Sequence, residues 1–116
     1  MSDIPQSKSI QAVRWVAKSV VIEVTGDIDL NRSNDFQQAL LGILDCKPER
    51  MIIHLGAVPY MDSSGVASLV KLLGRARKYG TAILLVELRD RVRSIFEITR
   101  LDNVFAIRTT EQEALN

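Results

Sequence analysis

Met51-Ile52-Ile53-His54-Leu55 and Ala82-Ile83-Leu84-Leu85-Val86 are two nearly continuous apolar runs, separated by a stretch whose apolar residues recur at the helical period. Such runs are the pattern of strands buried on both faces of a parallel sheet. The intervening helix is marked by Val66, Leu69, Val70 and Leu73, with Ser68, Lys71, Arg75 and Lys78 expected on the outward side. Tyr79-Gly80 supplies a left-handed stop, and Arg75, Arg77 and Lys78 stand at the negative end of the helix dipole. Residues 51–86 therefore read as one βαβ unit.

The rest of the chain extends that unit. Val20, Ile22 and Val24 alternate with Val21, Glu23 and Thr25 and stop at Gly26, as expected of a strand with one face less buried. A strand near Ile10 to Val16 is expected to pair with it as a hairpin. Phe36, Ala39, Leu40, Ile43 and Leu44 hold helical spacing before Pro48, with Asn31 or Ser33 available as the cap. A further helix from about Arg91 to Thr99 would bury Val92, Ile95 and Phe96. Val104-Phe105-Ala106-Ile107 reads as a short closing strand, and Thr110 with Glu113 suggests a capping box for a final short helix. The fold class is α/β, a single domain with a mixed β-sheet and about four helices packed on it. Residues 1–8 are expected to be a flexible N-terminus and residues 9–116 the domain.

Length and composition narrow the function. At 116 residues, 47% hydrophobic and 25% charged, the chain fits one domain able to bury its own core. Fifteen basic and 14 acidic residues leave a formal charge of +1, so no general electrostatic drive toward nucleic acid or an anionic membrane exists. No apolar run approaches the roughly 20 residues of a membrane span, and Met1 to Gln11 lacks the regions of a signal peptide. The expected location is cytoplasmic, without membrane insertion or direct nucleic-acid binding. The lone Cys46 agrees with a reducing compartment and reads as a buried small hydrophobe.

Function concentrates at Met61-Asp62-Ser63-Ser64-Gly65-Val66, where the first apolar run gives way to the helix. In such sheets, sites collect where a strand's carboxyl end meets a helix. Ser63 falls at or near the N-cap, where a serine is worth about 1 kcal/mol as a cap alone. The alternative is a switch: aligned amides, the positive end of the dipole and two hydroxyls on an exposed turn suit a covalently attached phosphate. Asp62 would repel a free phosphate and could help prepare the hydroxyl. Gly26-Asp27-Ile28-Asp29-Leu30 follows another strand's carboxyl end, so Asp27 and Asp29 would rim Ser63 if those strands are neighbours. Equally, they could form only a turn and a helix start.

With Gly26-Asp27-Ile28-Asp29 after a strand, Met61-Asp62-Ser63-Ser64-Gly65 before a helix, and this order of elements, the chain resembles a STAS domain from about Ser9 to Leu115. More narrowly, it resembles the bacterial anti-sigma factor antagonists (anti-anti-sigma factors). The resemblance implies a protein that binds an anti-sigma factor that is also a serine kinase. It displaces the sigma factor, loses affinity once the turn is phosphorylated, and is restored by a PP2C-type phosphatase. The family's phosphoacceptor, the serine directly after the aspartate, is here Ser63. Ser64 would help cap the helix. Asp29 matches the acid of the family's Gly-Glu-Leu-Asp turn, associated with partner or kinase contact, and Asp27 replaces the usual glutamate. Asp62 matches the acid before the acceptor, and Gly65 would let a partner approach the first helical turn.

Other classes find less support. A nucleophilic Ser63 needs a base within reach, and the only histidine, His54, lies in a strand that reads as buried. The turn also lacks the Gly-x-Ser-x-Gly elbow. One histidine and one cysteine leave no metal-ligand cluster, and no cofactor is implied. Trp15 and Tyr60 read as core or core edge before contact aromatics. Arg89, Arg91 and Arg93 read as a solvated face before a phosphate site. The competing assignment is a non-switching STAS subunit docked on a lipid-transport ATPase complex or a stress-signalling scaffold.

Overall fold

A computed structural model describes residues 7–116. Strand β1 (Ile10–Val16) and strand β2 (Ser19–Thr25) form the expected antiparallel hairpin. Helix α1 (Ser33–Leu44) leads to β3 (Arg50–Ala57), α2 (Ser63–Tyr79) to β4 (Ala82–Val86), and α3 (Asp90–Ile98) with a 3₁₀ turn (Leu101–Asn103) to β5 (Ala106–Arg108). Helix α4 (Glu111–Leu115) closes the described chain. The sheet runs β1-β2-β3-β4-β5, with every pair after the hairpin parallel.

The two faces of the sheet are covered unequally. On one, α1, α2 and α3 bury a continuous core that includes Ile22, Ile53, Phe36, Leu40, Leu69, Leu72, Val92 and Phe96. Phe105, expected in the closing strand, instead precedes it and meets Phe96 edge to face at 5.6 Å. On the other face, α4 alone covers Val21, Ile52, Leu84 and Val86, with Ala114 inserted. Arg14 pairs with Glu111 at 2.6 Å, and the Arg50 guanidinium donates to the Ala114 carbonyl at 2.9 Å. Thr110 caps α4 through the Glu113 N–H, and the Glu113 carboxylate returns to the Thr109 N–H. The less buried face expected of β2 holds at Glu23 and Thr25, which are half-buried, but not at Val21, which is fully buried because α4 lies over it.

Several local expectations also change. Gly80 stops α2 in the left-handed region at φ 76°, as its sequence implies. Helix α1, however, begins after Arg32 with no side-chain cap, so neither Asn31 nor Ser33 serves; Ser33 is the first helical residue and is buried. Ser68 does not face outward. It is buried between α1 and α2, where its hydroxyl donates to the Ser33 and Ser64 carbonyls at 3.1 Å. Val70 is exposed, because Leu69 and Leu72 fill the buried side of α2. Trp15 is half exposed, since β1 is an edge strand paired on one side only. Cys46, expected to be buried, is exposed two residues past the end of α1, where the chain has left the helix's packed face. Of the N-terminus expected to be flexible, residues 1–6 lie outside the described residues, and the Ser7 hydroxyl donates to Asp35 at 2.6 Å.

Candidate functional site

β2 and β3 are adjacent and parallel, so the loops leaving their carboxyl ends run side by side. Gly26 N–H donates to Ala57 O, Ile28 N–H to Tyr60 O, and Asp62 N–H to Ile28 O, each at 3.0–3.1 Å. Ile28 and Met61, joined by a parallel bridge, are both buried beneath these loops. The turn before α2 is therefore anchored by the neighbouring loop's backbone as well as by its own helix.

Asp62, not Ser63, is the N-cap of α2, with extended backbone at φ −100° and ψ −174°. Its Oδ1 accepts from the Ser64 N–H (2.9 Å), the Gly65 N–H (3.3 Å) and the Ser64 hydroxyl (2.5 Å). Its Oδ2 accepts from the Leu30 N–H at 3.2 Å. These donors, the Ser64 hydroxyl foremost, hold the Asp62 carboxyl below its ordinary value of 3.8. The carboxylate thus ties the helix start to the Asp29–Asn31 loop. The aligned amides expected for a phosphate are not open, because Asp62 already occupies those of Ser64 and Gly65. None of its hydrogen bonds goes to Ser63, so Asp62 is not arranged to prepare that hydroxyl.

Ser63 is the first residue of α2 and is exposed. Ser64 has its hydroxyl committed to Asp62, which agrees with its expected part in capping. Gly65 does not open a path for a partner: it is buried, and a Cβ there would lie 2.7 Å from Met61 Cγ, 2.8 Å from Ile28 Cγ2 and 3.0 Å from the Ile28 carbonyl. Its glycine is required by packing inside the chain. Asp27 is exposed, while Asp29 forms a turn, Oδ1 accepting from the Asn31 N–H at 3.0 Å and its carbonyl from Arg32 and Ser33.

The surface around Ser63 is apolar in a way the sequence reading missed. Leu30, beside Asp62, is 78% exposed, and Ile98 at the end of α3 is 81% exposed. Between the start of α2 and α3 lies a shallow hollow of about 460 Å³, lined by Tyr60, Asp62, Ser63, Arg91, Ile95 and Ile98 among others. Tyr60 is exposed there, correcting its expected place in the core edge, with the Arg91 guanidinium carbon 5.4 Å from its ring centroid. Along α2 the exposed residues Ser63, Ala67, Val70 and Gly74 follow one another at helical spacing without a charge. Two signals were available: Leu30 is apolar between Asp29 and Asn31, and Ile98 lies off the buried Val92–Phe96 stripe. His54 is half-buried, its Nδ1 accepting from the Gly56 N–H at 3.2 Å, away from the hollow's lining.

The profile of the STAS domain matches residues 5–114. Over 93 residues the chain is 32% identical to the anti-sigma-B factor antagonist of Listeria monocytogenes, covering 79% of this chain and 81% of that protein. An anti-sigma factor antagonist from Mycobacterium paratuberculosis has the same fold at TM-score 0.83 and 26% identity, with 92% of both chains covered. SpoIIAA, a Bacillus cell fate determinant solved in its phosphorylated form, matches at TM-score 0.68 and 21% identity, over 91% of this chain and 96% of its own. The chain belongs to the STAS domain family. These relatives are named as antagonists of anti-sigma factors.

Proposed function

We propose that this protein is a cytoplasmic anti-sigma factor antagonist. It binds an anti-sigma factor that is also a serine kinase, frees the sigma factor that partner holds, and is switched off when the partner phosphorylates Ser63. A PP2C-type phosphatase would return it to the binding state. The observation that carries this reading is the position of Ser63: an exposed serine outside the Asp62 network, on a hydrogen-bonded turn, with the two most exposed large hydrophobic residues among those described at its flanks. Exposed apolar residues grouped around one polar position mark a docking surface. Asp27, Asp29 and Asp62 supply the acidic rim of that surface.

The switch follows from electrostatics. A phosphate on Ser63 adds about −1.5 to −2 charges beside Asp62, whose oxygens already hold the nearest amides. If burying that charge against a partner costs about 3–4 kcal/mol, affinity falls roughly a hundred- to a thousandfold. No rearrangement of the fold is needed. The test is a pull-down from the source cell's lysate with wild type and Ser63→Asp as parallel baits. Capture of a small ATP-binding serine kinase by wild type, lost with Ser63→Asp, supports the reading. Retention of the same transporter or scaffold subunits by both baits overturns it in favour of a non-switching STAS subunit.

A further inference from the structure

Arg91 is exposed, as expected of a solvated face, and its guanidinium carbon lies 5.4 Å from the Tyr60 ring centroid. Arg91, Ser94, Ile95 and Ile98 lie at i, i+3, i+4 and i+7 on α3, and this stripe lines the same hollow as Ser63. Arg91 is the only cation among the described residues lining it. Arg89 Nε donates to the Gly56 carbonyl at 2.8 Å, and neither Arg89 nor Arg93 lines the hollow. The one other formal charge in the lining is Asp62, whose oxygens are held by Ser64, Gly65 and Leu30.

A phosphate attached to Ser63 therefore has a fixed negative charge beside it, and the Ser64 and Gly65 amides are already taken by Asp62. It also shares the hollow with one guanidinium, Arg91, which lies over Tyr60 with no carboxylate partner among the described residues. Guanidinium and phosphate form short, bidentate, charge-assisted hydrogen bonds, stronger than an exposed cation–π contact. We propose that Arg91 is the intrachain counter-ion of phosphoserine at Ser63, leaving the Tyr60 ring to bridge the hollow when the phosphate is present. The bridge covers the apolar wall at Ile95 and Ile98, so the modified protein hides part of its docking surface in addition to charging it. Without phosphate, Arg91 stays on Tyr60 and the hollow is open.

This inference rests on the reading of Ser63 as the phosphoacceptor, and its test is independent of any kinase. Phosphoserine is installed at residue 63 by amber-codon incorporation into the full chain, and its second ionisation is followed by ³¹P NMR in wild type, Arg91→Gln, Arg91→Lys and Arg93→Gln. A neighbouring cation favours the dianion, so the midpoint in wild type lies about half a pH unit or more below that in Arg91→Gln. Arg91→Lys falls between them, and Arg93→Gln matches wild type. The Arg91 Nε–H resonance also shifts on phosphorylation. Equal midpoints in wild type and Arg91→Gln, with both folded by circular dichroism, overturn the bridge while leaving partner release by Ser63 modification intact. Conversely, a shifted midpoint stands even if no kinase in the cell modifies Ser63.

Discussion

The first turn of α2 has two sides built from opposite materials. Beneath it, Gly65, Met61 and Ile28 are buried so closely that a single added methyl would meet three atoms at 3.0 Å or less. Above it, Ser63 stands in solvent between Leu30 and Ile98, which are among the most exposed apolar side chains of the described chain. Asp62 joins the two sides, capping the helix and holding the Leu30 loop with one carboxylate. The lesson is a division of labour: packing and capping set the position of the turn from below, so the upper surface is free to be chosen for contact and for chemistry. Residues above should change binding without stability, and residues below should change stability first.

The sharpest test of that division is phosphoserine at residue 63. Affinity for the proposed anti-sigma partner should fall roughly a hundred- to a thousandfold, read by calorimetric titration, while the urea midpoint moves by less than about 0.5 kcal/mol equivalent. A large loss of stability would show that the two sides are not separable. Next in size, Gly65→Ala should destabilise by about 1–3 kcal/mol in urea unfolding, because the Ile28 carbonyl is backbone and cannot rotate away. An unchanged midpoint would mean that the underside is looser than its contacts imply.

Asp62→Ala removes the cap and should cost about 1 kcal/mol. Its charge can be isolated with Asp62→Asn. The carboxyl is held below its ordinary 3.8 in the folded protein, so the stability due to its charge is fully present at neutral pH and is lost as pH falls below 3.8 through the lower folded value. The gap between wild type and Asp62→Asn should therefore close on acidification, measured by urea unfolding at successive pH values. A gap that widens as pH falls would contradict the direction of the shift. Smallest of all, Leu30→Ser and Ile98→Ser should alter stability by no more than about 0.5 kcal/mol. Each should nevertheless weaken partner binding severalfold by surface plasmon resonance; unaltered binding in both would remove the apolar flanks from the docking surface.

Much of this was legible in the sequence. The apolar runs at 51–55 and 82–86 were read as parallel central strands, and β3 and β4 pair in that way around α2. The hairpin, the Gly80 stop and the Thr110–Glu113 cap were equally visible, because each depends on residues close in the chain. The placement of the Gly26–Leu30 loop beside Asp62 was expected on the condition that β2 and β3 are neighbours, which they are. The roles within the turn were less legible. Which of Asp62, Ser63 and Ser64 caps the helix differs by one residue in register, and the extended backbone at Asp62 with its carboxylate on the Ser64 and Gly65 amides distinguishes them.

What the sequence determined by itself was periodicity, and with it the kind and order of the elements, the parallel core and the position of a hydroxyl at a strand-to-helix turn. Only the tertiary structure decided burial at single positions. Ser68 is inside because α1 crosses over it, and Val21 because five residues of α4 reach back across the sheet. Trp15 and Tyr60 are outside because no element covers the edge strand or the hollow's rim. Gly65 is needed for Ile28, 37 positions earlier, and Arg91 meets the loop residue Tyr60 from α3. The reason is physical: periodicity is a property of consecutive residues on one element, whereas exposure and charge pairing depend on which distant element happens to pack against it.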